Sequence, residues 1–209
     1  MRKPIVIGIL GIALALAATL ASGSIGQDGG DIEKALRLAV DKINLKVDKL
    51  GPATVPSAEQ WEEMTRAGWI PKNLAPLRAM TVHSARGSAW HMTAGVSVTI
   101  TRAENAAEAL AYLRAVTDHR RTQLAAGLKP FGGWTGKIEM TDFQACRASR
   151  ATLIDKSFDE NDPPRTEWLS WVQGPLLVEF VVNSRAKEPD FGLEGSAYVV
   201  WKELKVEGF

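Results

Sequence analysis

The stretch Trp90–Thr101 alternates strictly between two kinds of residue, and this limits the folds open to the chain more than any other feature. Trp90, Met92, Ala94, Val96, Val98 and Ile100 fall on one side. His91, Thr93, Gly95, Ser97, Thr99 and Thr101 fall on the other. A period of two is the signature of a strand, with one face buried and the other wet. A sheet of such strands is antiparallel and covered on one side.

The same period returns late in the chain. Thr166–Gln173 and Leu176–Asn183 read as a hairpin closed at Gly174-Pro175, with Leu176, Val178, Phe180 and Val182 on its buried face. Gly174 can take the positive φ that a tight hairpin turn requires. Lys137–Ala148 and Ala151–Phe158 read as two more strands, and Ala79–His83 as a short one. Tyr198–Val206 is read as a final strand because it begins with Tyr, two Val and Trp. A helix through Ala197, Val200, Trp201 and Leu204 is the rival reading.

Three segments carry helical spacing. Asp31 caps a helix expected to run to Leu50, with Ile32, Ala35, Leu36, Ala39, Val40, Ile43, Val47 and Leu50 in one stripe before Gly51-Pro52 stops it. Ser57 and Gln60 form a capping box for a short helix carrying Trp61 and Met64, closed at Gly68. A third helix spans Glu104 to about Ala126, with Ala109, Leu110 and Leu113 on its inner side and Gly127 as its stop. The expected class is α+β: an antiparallel sheet of about five to seven strands with helices packed on one face.

Ahead of all this lies an apolar amino end. Arg2 and Lys3 precede a run without charge from Ile5 to Ala21, and small residues follow at Ser22, Gly23 and Ser24. That order reads as a signal peptide, residues 1–23, cut after Gly23. The competing reading is an uncleaved membrane anchor. The run is at the lower limit of length for spanning a bilayer, and position 24 is Ser rather than a lipid-accepting Cys. Residues 24–30 read as a flexible lead and 31–209 as a single globular domain. Either way the body is expected outside the cytoplasm, periplasmic or extracellular, or else held at the inner membrane by its first helix.

Removing residues 1–23 from the 209 takes away two of the 25 basic residues and none of the 24 acidic ones, leaving a net charge of −1. Such a charge gives no electrostatic reason to bind nucleic acid. Membrane contact is expected only through residues 1–23. The single cysteine, Cys146, cannot form an internal disulfide and reads as a small buried hydrophobe. Seven tryptophans invite the idea of a glycan platform, but large aromatics are more often core.

No catalytic, cofactor-binding or metal-binding residue set is identified. His83, His91 and His119 lack a second ligand at metal spacing, although His83 and His91 could meet if their strands paired. Asp155, Asp159, Glu160 and Asp162 form the densest carboxylate group, but Pro163-Pro164 spoils a calcium loop, and a solvated turn is the better reading. Glu179 interrupts an apolar strand and is the one single-residue acid–base candidate, without an identifiable second carboxylate. No nucleophile elbow, phosphate loop or dinucleotide fingerprint occurs, and no cofactor is implied. The leading expectation is a non-catalytic exported binding or interaction domain whose partner is a small ligand, a glycan or an envelope protein. A hydrolase with a sequence-dispersed acidic site is the first alternative, and a membrane-tethered structural or assembly component the second.

Overall fold

A computed structural model describes residues 27–43, 46–53, 57–68, 70, 72, 82–88, 95–128, 131–157, 159–187, 192–206 and 208. Residues 1–23, read as a signal peptide, lie outside them, as do His91 and the first half of the long alternating stretch.

The chain begins with α1 (Gln27–Lys42), β1 (Lys46–Ala53), α2 (Ala58–Arg66), β2 (Val82–Ser88) and β3 (Gly95–Arg102). It continues with α3 (Ala106–Ala125), β4 (Trp134–Phe143), β5 (Cys146–Asp155), β6 (Pro164–Gln173), β7 (Leu176–Arg185) and α4 (Leu193–Val206). The strands form one seven-stranded sheet in the order β1-β2-β3-β7-β6-β5-β4, and every neighbouring pair is antiparallel. The α+β class and the antiparallel sheet are as expected. After β3 the chain crosses to the far edge through α3. It then returns as the meander β4–β7 until β7 closes against β3.

The helices do not share one face, contrary to expectation. Val96, Val98, Ile100, Leu169, Trp171, Val178, Phe180 and Val182 point toward α1 and α4, whose Ile32, Leu36, Ala197, Val200 and Leu204 complete the main core. The opposite face carries Ile138, Ala151, Leu153, Trp168 and Val181, which pack with Phe131 and Leu124 near the end of α3. The supposedly wet face is therefore covered over β4–β7, because α3 is the crossover and must lie on a face to reach β4.

Four parts of the element map also differ from expectation. The first helix starts at Gln27 and ends at Lys42, so Gln27–Gly30 belong to α1 rather than to a flexible lead. Residues 46–53, read as the end of that helix, form an edge strand paired with β2. The last segment is the helix α4, not a strand. Its Leu193, Ala197, Val200 and Leu204 are buried at helical spacing against α1, and this packing outweighs the β-preference of Tyr198-Val199-Val200. The turn between β4 and β5 falls at Gln144-Ala145, inside a segment read as continuous strand. Both residues adopt positive φ, +50° and +63°, without a glycine to announce them.

Other expectations match. Ser57 Oγ accepts from Gln60 N at 3.2 Å while Ser57 N donates to Gln60 Oε1 at 2.9 Å, which is the reciprocal capping box. The third expected helix forms as α3, and Asn105, which was not singled out in the sequence, caps it by accepting from Glu108 N at 2.9 Å. Gly174 turns the β6–β7 hairpin at φ +55°. The four residues read as that hairpin's buried face, Leu176, Val178, Phe180 and Val182, are all buried.

Candidate functional site

Glu179 does not stand on an open sheet. It lies on the face under α3, where Arg120 Nη1 donates to its Oε2 at 2.7 Å and Ser170 Oγ donates to the same oxygen at 3.2 Å. The side chains of Arg120 and Glu179 are 17% and 21% exposed, so the ion pair is largely withdrawn from solvent. The Arg120 guanidinium also lies 5.1 Å from the centre of the Trp168 ring. A planar cation that forks toward a carboxylate and stacks on an indole suits arginine and not lysine.

Register explains the grouping. Thr99, Glu179, Ser170 and Ser149 lie directly opposite one another across β3, β7, β6 and β5. This row of polar side chains runs across the covered face, with Met140 of β4 at its end. Arg120 comes down onto the row from α3. Tyr112, two turns earlier on α3, is close enough to feel both charges. Burial pushes its phenol above the ordinary range, Arg120 pulls the other way, and Glu179 adds to the upward push.

The far side of α3 is tied to the end of α2. The Gly68 carbonyl accepts from His119 Nε2 at 2.6 Å and from Gln123 Nε2. Tyr112 and Trp61 pack with ring centres 6.1 Å apart. Arg121 Nε donates to the Ile138 carbonyl of edge strand β4 at 2.8 Å. Arg120, Arg121 and His119 are thus the anchors of α3 to the sheet and to α2. Adjacent arginines late in a helix, together with a lone glutamate in an apolar strand, were the available signal for this pairing.

The other candidates are dispersed. Asp155 Oδ1 accepts from Ser157 N and Oγ, and Asp159 Oδ1 accepts from Asn161 N and Asp162 N. Asp162 Oδ1 accepts from Lys187 N. These carboxylates fasten their own loops. His83 sits on β2 opposite Ile100, and His119 is bound to Gly68. Among the described residues no three His, Cys, Asp or Glu side chains gather as metal ligands would.

Cys146 opens β5 beside Trp201, and burial raises its thiol above the ordinary value. Trp61, Trp168 and Trp171 are buried in the cores; Trp134 and Trp201 are half-buried. Tyr198 is exposed and stacks on Trp201, with ring centres 5.7 Å apart.

No family model matches the chain, and no curated protein matches it. Among solved structures it is similar to the extracellular domain of PknH from Mycobacterium tuberculosis, at 11% identity and a TM-score of 0.49, over 79% of this chain and 90% of that one. A likeness of that size carries no inference about this chain. No described helix is long and apolar enough to cross a membrane.

Proposed function

We propose that this chain is an exported, non-catalytic binding or interaction domain. The observation that carries the reading is the state of Glu179. Its carboxylate is the counter-ion of Arg120 beneath a helix and also accepts from Ser170, so it is already engaged within the fold. An acid–base group must instead gain and lose a proton beside a substrate. The second carboxylate group, Asp155–Asp162, is likewise engaged by its own turns. Both acidic candidates for a dispersed hydrolase site thus have structural employment.

Export is supported by the order of a basic start at Arg2 and Lys3, an apolar run from Ile5 to Ala21 and small residues at Ser22–Ser24. The partner is a small ligand, a glycan or an envelope protein. Burial of Trp61, Trp168 and Trp171 favours the first and last of these over glycan stacking, because a stacking platform needs open rings.

Two measurements test the reading. Intact mass of the exported protein should show a species beginning at Ser24. Thermal shift against sugar, lipid, peptide and metal panels should reveal a stabilising ligand, since binding to the folded state alone raises the midpoint. Hydrolysis of any glycoside or ester substrate that is abolished by Glu179→Gln, in protein of unchanged melting temperature, would overturn the non-catalytic assignment.

A further inference from the structure

Two buried polar atoms have no hydrogen-bond partner among the described residues: Ser149 Oγ and Trp168 Nε1. Both belong to the sheet face under α3. Ser149 is 2% exposed and Trp168 6%. Buried donors and acceptors are almost always paired, so two together on one face call for an explanation. The contrast with Trp171 is direct. Trp171 is also fully buried, on the opposite face, and its Nε1 donates to Gln173 Oε1 at 3.1 Å.

The register places the two atoms close. Ser149 lies opposite Ser170, and Ala151 lies opposite Trp168. Trp168 and Ser149 are therefore diagonal neighbours, within reach of a long side chain. Ser170 stands between them on the same face, its hydroxyl directed to Glu179 Oε2 at 3.2 Å and retaining a second hydrogen-bonding position.

We propose that a single water molecule occupies the seam between β5 and β6 under α3, held by Ser149 Oγ, Ser170 Oγ and Trp168 Nε1. The chemistry selects the occupant. An indole N–H only donates, so it needs an acceptor oxygen and repels a metal cation. An anion would meet the Glu179 carboxylate in the next position of the row. Three polar partners are the number a buried water usually has. This water extends the Arg120–Glu179–Ser170 hydrogen bonds to Ser149 and Trp168 beneath the helix. The inference is independent of what the domain binds.

The test uses ¹⁵N-labelled protein. The Trp168 indole resonance is identified by its loss in Trp168→Phe. It should show a cross-relaxation peak to water with the sign of a long-lived contact, and that peak should vanish in Ser149→Ala. Ser149→Ala should also lower Tm by about 2–6 °C, because it removes a hydroxyl that is bonded in the folded state. Absence of the water contact at Trp168 overturns the proposal. So does a Ser149→Ala protein that melts at the same or higher temperature, the result expected when an unbonded buried hydroxyl is deleted.

Discussion

Replacing Arg120 by Met should loosen α3 from the sheet. Exposed ion pairs contribute about 0–1 kcal/mol, whereas breaking a fully buried pair costs about 3–5 kcal/mol. Arg120 and Glu179, each about four-fifths withdrawn from solvent, lie between these limits, so the pair term is about 2 kcal/mol. Loss of the cation from the Trp168 face adds about 1 kcal/mol. The Met stem retains the apolar packing, so the total is about 3 kcal/mol, which for a chain of this size corresponds to roughly 6–12 °C in Tm.

The assay is urea unfolding followed by far-ultraviolet circular dichroism. It is run on Arg120→Met, on Glu179→Leu and on the double variant. Each single change leaves one charge without its partner; the double leaves neither. The double should therefore lose no more stability than Arg120→Met alone, with a coupling of about 2 kcal/mol. Losses that add within about 0.5 kcal/mol would refute the reasoning, and would mean that the two side chains do not share an energetic link.

Further outcomes follow from other positions. Gly136→Ala should abolish or strongly destabilise the β4–β5 pairing. Its φ is +145°, and an added Cβ would strike the Thr152 carbonyl and come within 2.9 Å of the Leu153 side chain; thermal melts compared with Gly68→Ala, where the added carbon meets nothing, isolate the clash. Ser57→Ala should cost about 1 kcal/mol through loss of the α2 capping box, measured by the urea midpoint.

Tyr112 predicts alkaline sensitivity. Its folded-state value is raised, so the unfolded chain ionises first; the stabilisation is complete below about pH 10 and is lost as pH rises through and beyond it. Tyr112→Phe should remove that part of the alkaline decline. Cys146 should react slowly with a disulfide reagent at pH 8, faster as pH rises or in urea, because burial disfavours its thiolate.

The parts of the fold visible in the sequence are those fixed by local chemistry. The Ser57–Gln60 box and the Gly174 turn each declare themselves within four residues. The buried alternation of β3 and β7 needs only the period. What escaped depends on distant partners. Val47 and Leu50 continue the spacing of α1, yet they sit in a strand because β2 offers backbone pairing at that edge. Tyr198-Val199-Val200 reads as strand until α1 supplies a surface for a helical stripe.

The site escaped for the same reason. Glu179 was conspicuous in a strand of apolar residues, but its partner is 59 residues earlier on a helix whose placement follows from topology. Ser149 falls between the two strands read from the sequence, Ser170 alternates with buried Leu169 and Trp171, and only the crossover of α3 shows both serines to be covered.

The two sides of the sheet are unlike in what holds them. Beneath α1 and α4 the larger apolar cluster dominates, with Gln173 bridging Trp171 and the Trp201 carbonyl, while beneath α3 a smaller cluster is stitched by Arg120, Glu179, Ser170 and Arg121. Polar stitching is readily exchanged for water, so the α2–α3 lid is the layer that opens first as the protein breathes. Amide protons in α3 should therefore swap for deuterium well before those of β6 and β7, leaving a sheet clasped by its two terminal helices as the last part to come undone.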